Sequence, residues 1–205
     1  MIKTTIRKGD RGERVKFVQR LLNLYPDGIF GNETDTAVRR FQETNGLTAD
    51  GIVGVGTLIR LCGFMFLPAD RTITEIIVHC TATPEGKDYT VDDIRRWHKE
   101  QGWSDIGYHY VIYRDGSIHE GRDVRYSGAH CTGHNANSIG VVYIGGVSKD
   151  GKTAKDTRTK AQKRALLQVM RTLRAAYPSA RIYGHRDFAK KACPSFDAKE
   201  EYKSV

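Results

Sequence analysis

Long apolar runs and paired cysteines are both missing from this sequence of 205 residues. Roughly 20 consecutive apolar residues are needed to cross a bilayer, and no segment approaches that length, so we expect no membrane-spanning helix. Residues 1–8 lack the apolar stretch of a secretory signal peptide. We therefore expect a chain that folds in the cytoplasm where it is made and reaches any outside target only after release.

The cysteines are few and scattered, and none belongs to a CxxC pair. In a cytoplasmic chain of this size disulfides are not expected, whereas a thiolate that binds a metal is a real option. The sequence contains 4 cysteines: Cys62, Cys80, Cys131 and Cys193.

Acidic residues are too few to balance the basic ones, which leaves a formal net charge of +9. Residues 1–70 carry 10 basic and 8 acidic side chains, and residues 71–205 carry 23 and 16. Such an excess suits an anionic partner, either nucleic acid or the cell envelope, although it also serves solubility. Residues 149–174 hold 9 basic and 2 acidic side chains without a recognised nucleic-acid motif, so we expect electrostatic contact with an anionic envelope and no specific nucleic acid.

The first 63 residues predict a module of three short helices. Asp10 and Glu13 predict a capping box for the first helix. The second begins near Asn32 and ends at an Asn-Gly pair, and the third stops at Gly63. An internal echo accompanies them, because DGIFG at 27–31 and DGIVG at 50–54 each precede a helix.

A different pattern follows a short link at residues 64–72. Strand-like runs occupy 74–80, 108–113 and 139–144, while helical patterns occupy 90–101 and 159–177. Strands mixed with helices predict an α+β fold, in which a mixed sheet is flanked by helices. We therefore divide the chain into a helical domain at 1–63, a linker at 64–72 and a larger domain at 73–205.

Three side chains of the larger domain are candidate metal ligands: His79, His185 and Cys193. A catalytic zinc takes three protein ligands and leaves one position open, and two imidazoles with a thiolate make such a set. The spacing alone does not decide the matter, because a histidine on a strand is also a common core residue and His-x7-Cys is not a standard zinc signature.

Both domains resemble known families. The pattern DGIFGxxTxxAVxxFQ resembles the peptidoglycan-binding modules of cell-wall hydrolases over residues 5–62, although the turn at 24–26 is shorter than is usual there. Over residues 74–198, the motifs IIVHCTAT, GYHYVIYRDG, AHCTGHNANSIGVVYIGG and GHRDFAKKACPSFD occur in the order and spacing of the type-2 N-acetylmuramoyl-L-alanine amidases. That family includes phage endolysins and is related to the peptidoglycan recognition proteins.

The resemblance implies roles for individual residues. One zinc ion per chain would be held by His79, His185 and Cys193. Tyr108 and Lys191 would act in catalysis, because a hydroxyl or an ammonium can stabilise the oxyanion formed when an amide is attacked. Two further residues would line the substrate groove: His130 and Asn135.

Other residues are expected to be structural. Strand alternation turns Cys80 away if His79 faces the metal, and turns His109 away if Tyr108 faces it. Cys62 is expected in the core of the first domain. No role is expected for three other histidines: His98, His119 and His134.

The implied function is hydrolysis of the amide bond between N-acetylmuramic acid and L-alanine, as in an endolysin that degrades the cell wall and lyses its host after release. The alternative is a non-catalytic recognition protein of the same fold. Such proteins usually lack the cysteine ligand, whereas Cys193 is present here together with Tyr108 and Lys191.

Overall fold

The computed structural model describes residues 5–66, 68–69 and 71–205. The parts of the predicted domain 1–63 and linker 64–72 that fall on Met1–Thr4, Leu67 and Asp70 lie outside that description. The chain forms two compact units, Met1–Pro68 and Ala69–Val205. Within the described residues, no helix has both the length and the apolar character needed to cross a membrane.

The first unit contains the three predicted helices, α1 (Glu13–Leu21), α2 (Asn32–Thr44) and α3 (Val55–Cys62). Helix α3 ends at Gly63, which has a φ of 76° and so adopts the left-handed conformation that glycine tolerates best. The fully buried apolar side chains of this unit include Val18, Val38, Leu58 and Cys62, as expected for Cys62.

The predicted capping box at the start of α1 is wrong. The N-cap residue is Gly12, which offers no side-chain hydrogen bond. The Asp10 carboxylate instead accepts a hydrogen bond from the Arg7 amide at 2.9 Å, and Glu13 accepts one from Lys16 at 2.7 Å. A local turn before the helix therefore uses the group that the sequence pattern assigned to the cap.

A buried glutamine on α1 holds the turn before α2. The Gln19 amide nitrogen donates to Asp27 Oδ1 at 2.7 Å and to Thr34 Oγ1 at 3.0 Å. Its oxygen accepts from the Gly28 amide at 2.9 Å. Because Gln19 is only 2% exposed, these bonds satisfy polar groups that water does not reach. We call this arrangement a glutamine lock.

The same lock recurs between α2 and α3. The Gln42 amide nitrogen donates to Asp50 Oδ1 at 2.9 Å and to Thr57 Oγ1 at 3.1 Å, and its oxygen accepts from the Gly51 amide at 2.9 Å. The echo seen in the sequence is therefore a true structural repeat, and its glutamine is a member that the sequence reasoning did not include.

The second unit is built on a five-stranded sheet. Its strands are β1 (Glu75–Cys80), β3 (Tyr110–Ile112), β4 (Ile118–Glu120), β5 (Ser138–Tyr143) and β7 (Arg181–Gly184). Their order in the sheet is β4-β3-β5-β1-β7. Strand β1 pairs in parallel with both β5 and β7, β3 pairs in parallel with β5, and β4 runs antiparallel to β3. A separate parallel pair joins β2 (Thr83–Pro84) to β6 (Gly146–Val147).

Three helices accompany the sheet: α4 (Val91–Glu100), α5 (Lys160–Ala176) and α6 (Ala198–Glu201). Thr90 and Thr159 each form a capping box with the residue three positions on, so local signals place the starts of α4 and α5. The mixed sheet with flanking helices confirms the predicted α+β fold. Strand β4, strand β7, the β2-β6 pair and helix α6 had not been predicted individually.

Residues 64–72 are divided between the units. Phe66 packs edge to face on Phe17 of the first unit, with ring centroids 5.5 Å apart. Arg71 belongs to the second unit, where its guanidinium donates to the carbonyl oxygens of Val124 at 2.6 Å, Ala136 at 2.8 Å and Ser138 at 2.7 Å. The second unit therefore begins a few residues before the expected position 73.

A buried arginine ties α6 to the rest of the second unit. The Arg158 side chain is 1% exposed and donates to Asp156 at 2.9 Å and to Glu201 at 2.8 Å, with its guanidinium carbon 3.2 Å from the centre of the Phe196 ring. Burial alone would raise the pKa of Asp156, but the hydrogen bonds from Arg158 outweigh it and lower that pKa to about 2. The Asp156 carboxylate is therefore ionised at neutral pH, as its pairing with Arg158 requires.

The repeated lock predicts a matched pair of stability losses. Replacing Gln42 or Gln19 with Leu leaves buried donors and acceptors without partners, at a cost of about 1–3 kcal/mol for each substitution. Denaturant unfolding followed by signals from the first unit should show both losses. Glu43→Leu, an exposed change on the same helix as Gln42, should stay within about 0.5 kcal/mol. A Gln42→Leu protein as stable as the wild type would contradict the importance of the lock.

Candidate metal centre

Adjacent parallel strands bring the two histidines together. Strand β1 pairs with β7 in a register that sets Val78 opposite Gly184, so His79 and His185 are each the next residue at the carboxyl ends of neighbouring strands. Their ring centroids lie 4.7 Å apart. His79 is fully buried, and His185 is partly exposed at the end of the sheet.

The cysteine reaches the same point by a return of the chain. The carbonyl oxygen of Cys193 accepts a hydrogen bond from the Arg186 amide at 2.7 Å, which closes the segment between them. The Cys193 Sγ lies 3.8 Å from Nδ1 of His79 and accepts a hydrogen bond from the Cys80 amide at 3.3 Å. Cys80 is buried, as expected, but its backbone directly contacts the thiol of the candidate ligand.

This cluster fits a zinc ion. The ligand atoms of His79, His185 and Cys193 all lie within 4.8 Å of one another. Tetrahedral zinc with the usual bond lengths separates a nitrogen and a sulfur ligand by about 3.6 Å, close to the distance observed between Nδ1 of His79 and the thiol. Burial, followed by the neighbouring His130, His185 and Lys191, lowers the pKa of His79 well below its ordinary value, which keeps the imidazole neutral and its lone pair available.

Tyr108 lies beside the cluster. Its ring centroid is 5.1 Å from that of His79 and 5.4 Å from that of His98. Burial, reinforced by the nearby Cys193 and Cys80, raises the pKa of the phenol above its ordinary value. The hydroxyl therefore stays protonated at neutral pH and is available as a hydrogen-bond donor.

Lys191 is exposed on the loop that leads to Cys193. Its amide donates to the Ala189 carbonyl oxygen at 2.7 Å. Burial, with the Lys191 ammonium as the second cause, lowers the pKa of His185, and the same ammonium contributes to the lowering at His79. Its positive charge therefore acts on the cluster.

His130 and Asn135 lie behind the three candidate ligands. His130 is 7% exposed, and its Nδ1 lies 3.1 Å from Nε2 of His79. The Asn135 Oδ1 accepts hydrogen bonds from the amides of His130 at 2.8 Å and Cys131 at 2.9 Å. Both side chains therefore have partners within the protein. The resemblance had implied only that they line the substrate groove.

The histidines expected to be structural have defined contacts. His109 is buried, and its Nδ1 accepts from the Gly140 amide at 2.9 Å. His98 accepts from the Gly107 amide at 3.0 Å and so supports the loop that carries Tyr108. His119 stacks on Tyr113. Nδ1 of His134 lies 2.8 Å from Oε2 of Glu75, and its ring packs at a tilt against Phe188. Most of these contacts have no short-range sequence signal, because the partner residues come from other elements of the fold.

Known proteins resemble this chain in both sequence and fold. Residues 69–196 match the N-acetylmuramoyl-L-alanine amidase family, and residues 11–61 match a putative peptidoglycan binding domain. The endolysin of Enterobacteria phage T3 is 48% identical over 130 residues, which cover 63% of this chain and 85% of that protein.

Two solved structures are similar as well. An endolysin amidase, LysCS from Clostridium intestinale, is 28% identical with a TM-score of 0.54 and covers 67% of this chain and 85% of its own. Drosophila PGRP-LB is 27% identical with a TM-score of 0.55 and covers 71% and 91%.

The mixed sheet of the second unit has the fold shared by endolysin amidases and peptidoglycan recognition proteins. Because the family match spans more than half of the sequence, the chain belongs to the N-acetylmuramoyl-L-alanine amidase family. The recognition made from the sequence motifs is thus confirmed.

The geometry predicts that loss of the thiol abolishes tight metal binding. Cys193→Ser should weaken zinc affinity by more than about 100-fold, which exceeds the loss typical of a group that only supports a ligand. Competition with a chromogenic chelator measures the affinity. Cys131→Ser is the control, because Cys131 is also a free cysteine but is not a member of the cluster. Equal affinities of the two variants would contradict the assignment.

Proposed function

We propose that His79, His185 and Cys193 hold one zinc ion, and that Tyr108 and Lys191 act on the substrate beside it. The observation that carries this proposal is the convergence of all three ligand atoms within 4.8 Å, with a phenol and an ammonium at the same edge of the sheet. A zinc ion held there would supply Lewis-acid activation of water and of the scissile carbonyl.

The chain is an enzyme of the amidase class, an endolysin that hydrolyses the amide bond between N-acetylmuramic acid and L-alanine of peptidoglycan. Its family and its phage relatives support this activity, and a purely recognising protein is not favoured. Since endolysins act on the wall once released, we propose the same sequence of events for this chain.

Tyr108 and Lys191 have separate roles in this proposal. Charge develops on the carbonyl oxygen as the amide is attacked, and a donor placed there stabilises the transition state more than the neutral substrate. Lys191 is exposed, so its ammonium is accessible to an incoming substrate. The protonated Tyr108 hydroxyl is a second donor, and it is held in place by its contacts with His79 and His98.

The first unit is proposed to bind the cell wall. An open groove of about 630 Å³ lies against α2, and its mixture of apolar and polar lining residues suits a sugar chain with both apolar faces and hydroxyls. The groove residues include Leu22, Leu24, Asn32, Thr36 and Phe41.

Helix α5 is proposed to add electrostatic attraction. Its 17 residues contain no acidic side chain, and its basic side chains attract anionic polymers over about one Debye length. The exposed basic residues on this helix are Lys160, Lys163, Arg164 and Arg171.

The bond assignment predicts the products of digestion. Purified peptidoglycan should yield free stem peptides that begin with L-alanine, together with intact glycan strands. Mass spectrometry combined with amino-group labelling detects both products. New reducing sugar ends without free alanine amino groups would indicate a glycosidase and contradict the assignment.

The charge of Lys191 acts on His79 and His185, which predicts an asymmetry between Lys191 and the adjacent Lys190. Lys191→Ala should lower turnover by about 100-fold or more, as for the loss of one oxyanion donor, while zinc content and folding stay nearly intact. Lys190→Ala, its neighbour and matched control, should cost little. Steady-state rates on a soluble muropeptide at equal zinc occupancy provide the measurement. Equal small losses would leave the metal and Tyr108 as the catalytic groups.

The groove predicts that a change in the first unit alters binding to the cell wall without altering cleavage of soluble substrates. Thr36→Trp fills the groove and should reduce binding to insoluble sacculi about tenfold or more, while cleavage of soluble muropeptides is unchanged. Glu43→Trp, on the same helix and outside the groove, is the matched control. A pull-down with purified sacculi measures binding. If Thr36→Trp binds as well as the control, the groove assignment is wrong.

A further inference from the structure

The two ring nitrogens of His79 face different partners. Its Nδ1 lies 3.8 Å from Sγ of Cys193, on the side of the candidate metal position. Its Nε2 lies 3.1 Å from Nδ1 of His130. A neutral imidazole carries one proton, so Nδ1 offers its lone pair to a metal only when the proton is on Nε2.

We propose that His130 is a positioning residue for the metal site: its Nδ1 accepts the Nε2–H of His79 and so fixes the tautomer in which Nδ1 of His79 binds the metal. This inference rests on the proposed zinc site. It gives His130 a role that differs from the expected substrate contact, because it acts through His79 and not on the substrate.

Two glycines form the space that His130 occupies. A Cβ atom on Gly128 would lie 2.4 Å from Cδ2 of His130, and one on Gly140 would lie 2.5 Å from the same atom. Both distances are far below contact distance, so no other residue fits at either position without moving the ring. Gly140 lies inside β5, where glycine weakens a strand and commonly marks the close approach of another group.

Hydrogen bonds hold the ring from two further directions. The Asn135 side chain accepts from the amides of His130 and Cys131, which fixes the backbone that carries the ring. On its far side, Nε2 of His130 lies 3.3 Å from Oγ of Ser138. A hydroxyl both donates and accepts, so Ser138 Oγ can accept a hydrogen bond from the Nε2–H that His130 carries when its Nδ1 is the acceptor.

One placement of the protons on the two imidazole rings satisfies all of these hydrogen bonds. With the proton of His79 on Nε2 and that of His130 on Nε2, each nitrogen–hydrogen group faces an acceptor, and the one free lone pair points toward Cys193. In the opposite arrangement His130 donates to His79, and the Nδ1 proton of His79 then occupies the metal side. Histidine ligands of metals are generally oriented in this way by a partner on the other nitrogen.

The first test measures zinc affinity of the full chain by chelator competition. His130→Leu removes the acceptor and should weaken zinc binding about 10- to 100-fold. His130→Asn keeps an acceptor oxygen near the position of Nδ1 and should stay within a few-fold of the wild type. Unchanged affinity in His130→Leu, with only KM for a muropeptide raised, would show a substrate contact and overturn the proposal. Equal losses in both variants would also overturn it.

The second test needs no variant. Long-range proton–nitrogen NMR of the full chain reports which nitrogen of His79 carries the proton. We expect Nε2–H in both the zinc-loaded and the zinc-free protein, because His130 holds that tautomer before metal binds. A proton on Nδ1 in the zinc-free protein would overturn the inference. Absence of zinc binding by the wild type would instead defeat the proposed metal site, so the two failures are distinguishable.

Discussion

Parallel pairing between β1 and β7 fixes the distance between the two histidines of the candidate metal site, and the other parts of that site are arranged around the pairing. Because both strands run in the same direction, His79 and His185 emerge at one edge of the sheet. The cysteine then needs only a short loop to return to them. Strand β5 pairs with the other side of β1. The site therefore lies at the carboxyl ends of strands whose middle residues are buried.

The local features of this fold were accessible from the sequence, and the long-range ones were not. Thr90 and Thr159 identify the starts of α4 and α5, because a capping box needs only the following three residues. The start of α1 was misplaced because the Asp10 carboxylate binds the Arg7 amide, a competing local bond that the same pattern permits. Strand β7 was not predicted, since four residues give too short a pattern.

The candidate site was likewise only partly predictable from the sequence. The order of the motifs indicated His79, His185 and Cys193, and the structure brings those ligand atoms together. Neither spacing nor periodicity indicated that His130 would lie behind His79, because that contact joins residues 51 positions apart. The two glycines beside His130 carry a signal that was present in the sequence: a glycine within a strand pattern indicates that another group comes close.

The glutamine locks have a consequence for the order in which the chain acquires structure. Partners within each lock are 8–15 residues apart, whereas β1 must find Ser138 and Arg181 to complete its register. Closing short loops costs little entropy, and proteins dominated by near-neighbour contacts fold faster than those that depend on distant pairings. The helical unit is therefore expected to reach its native state well before the sheet, at a stage when the candidate metal ligands are still apart.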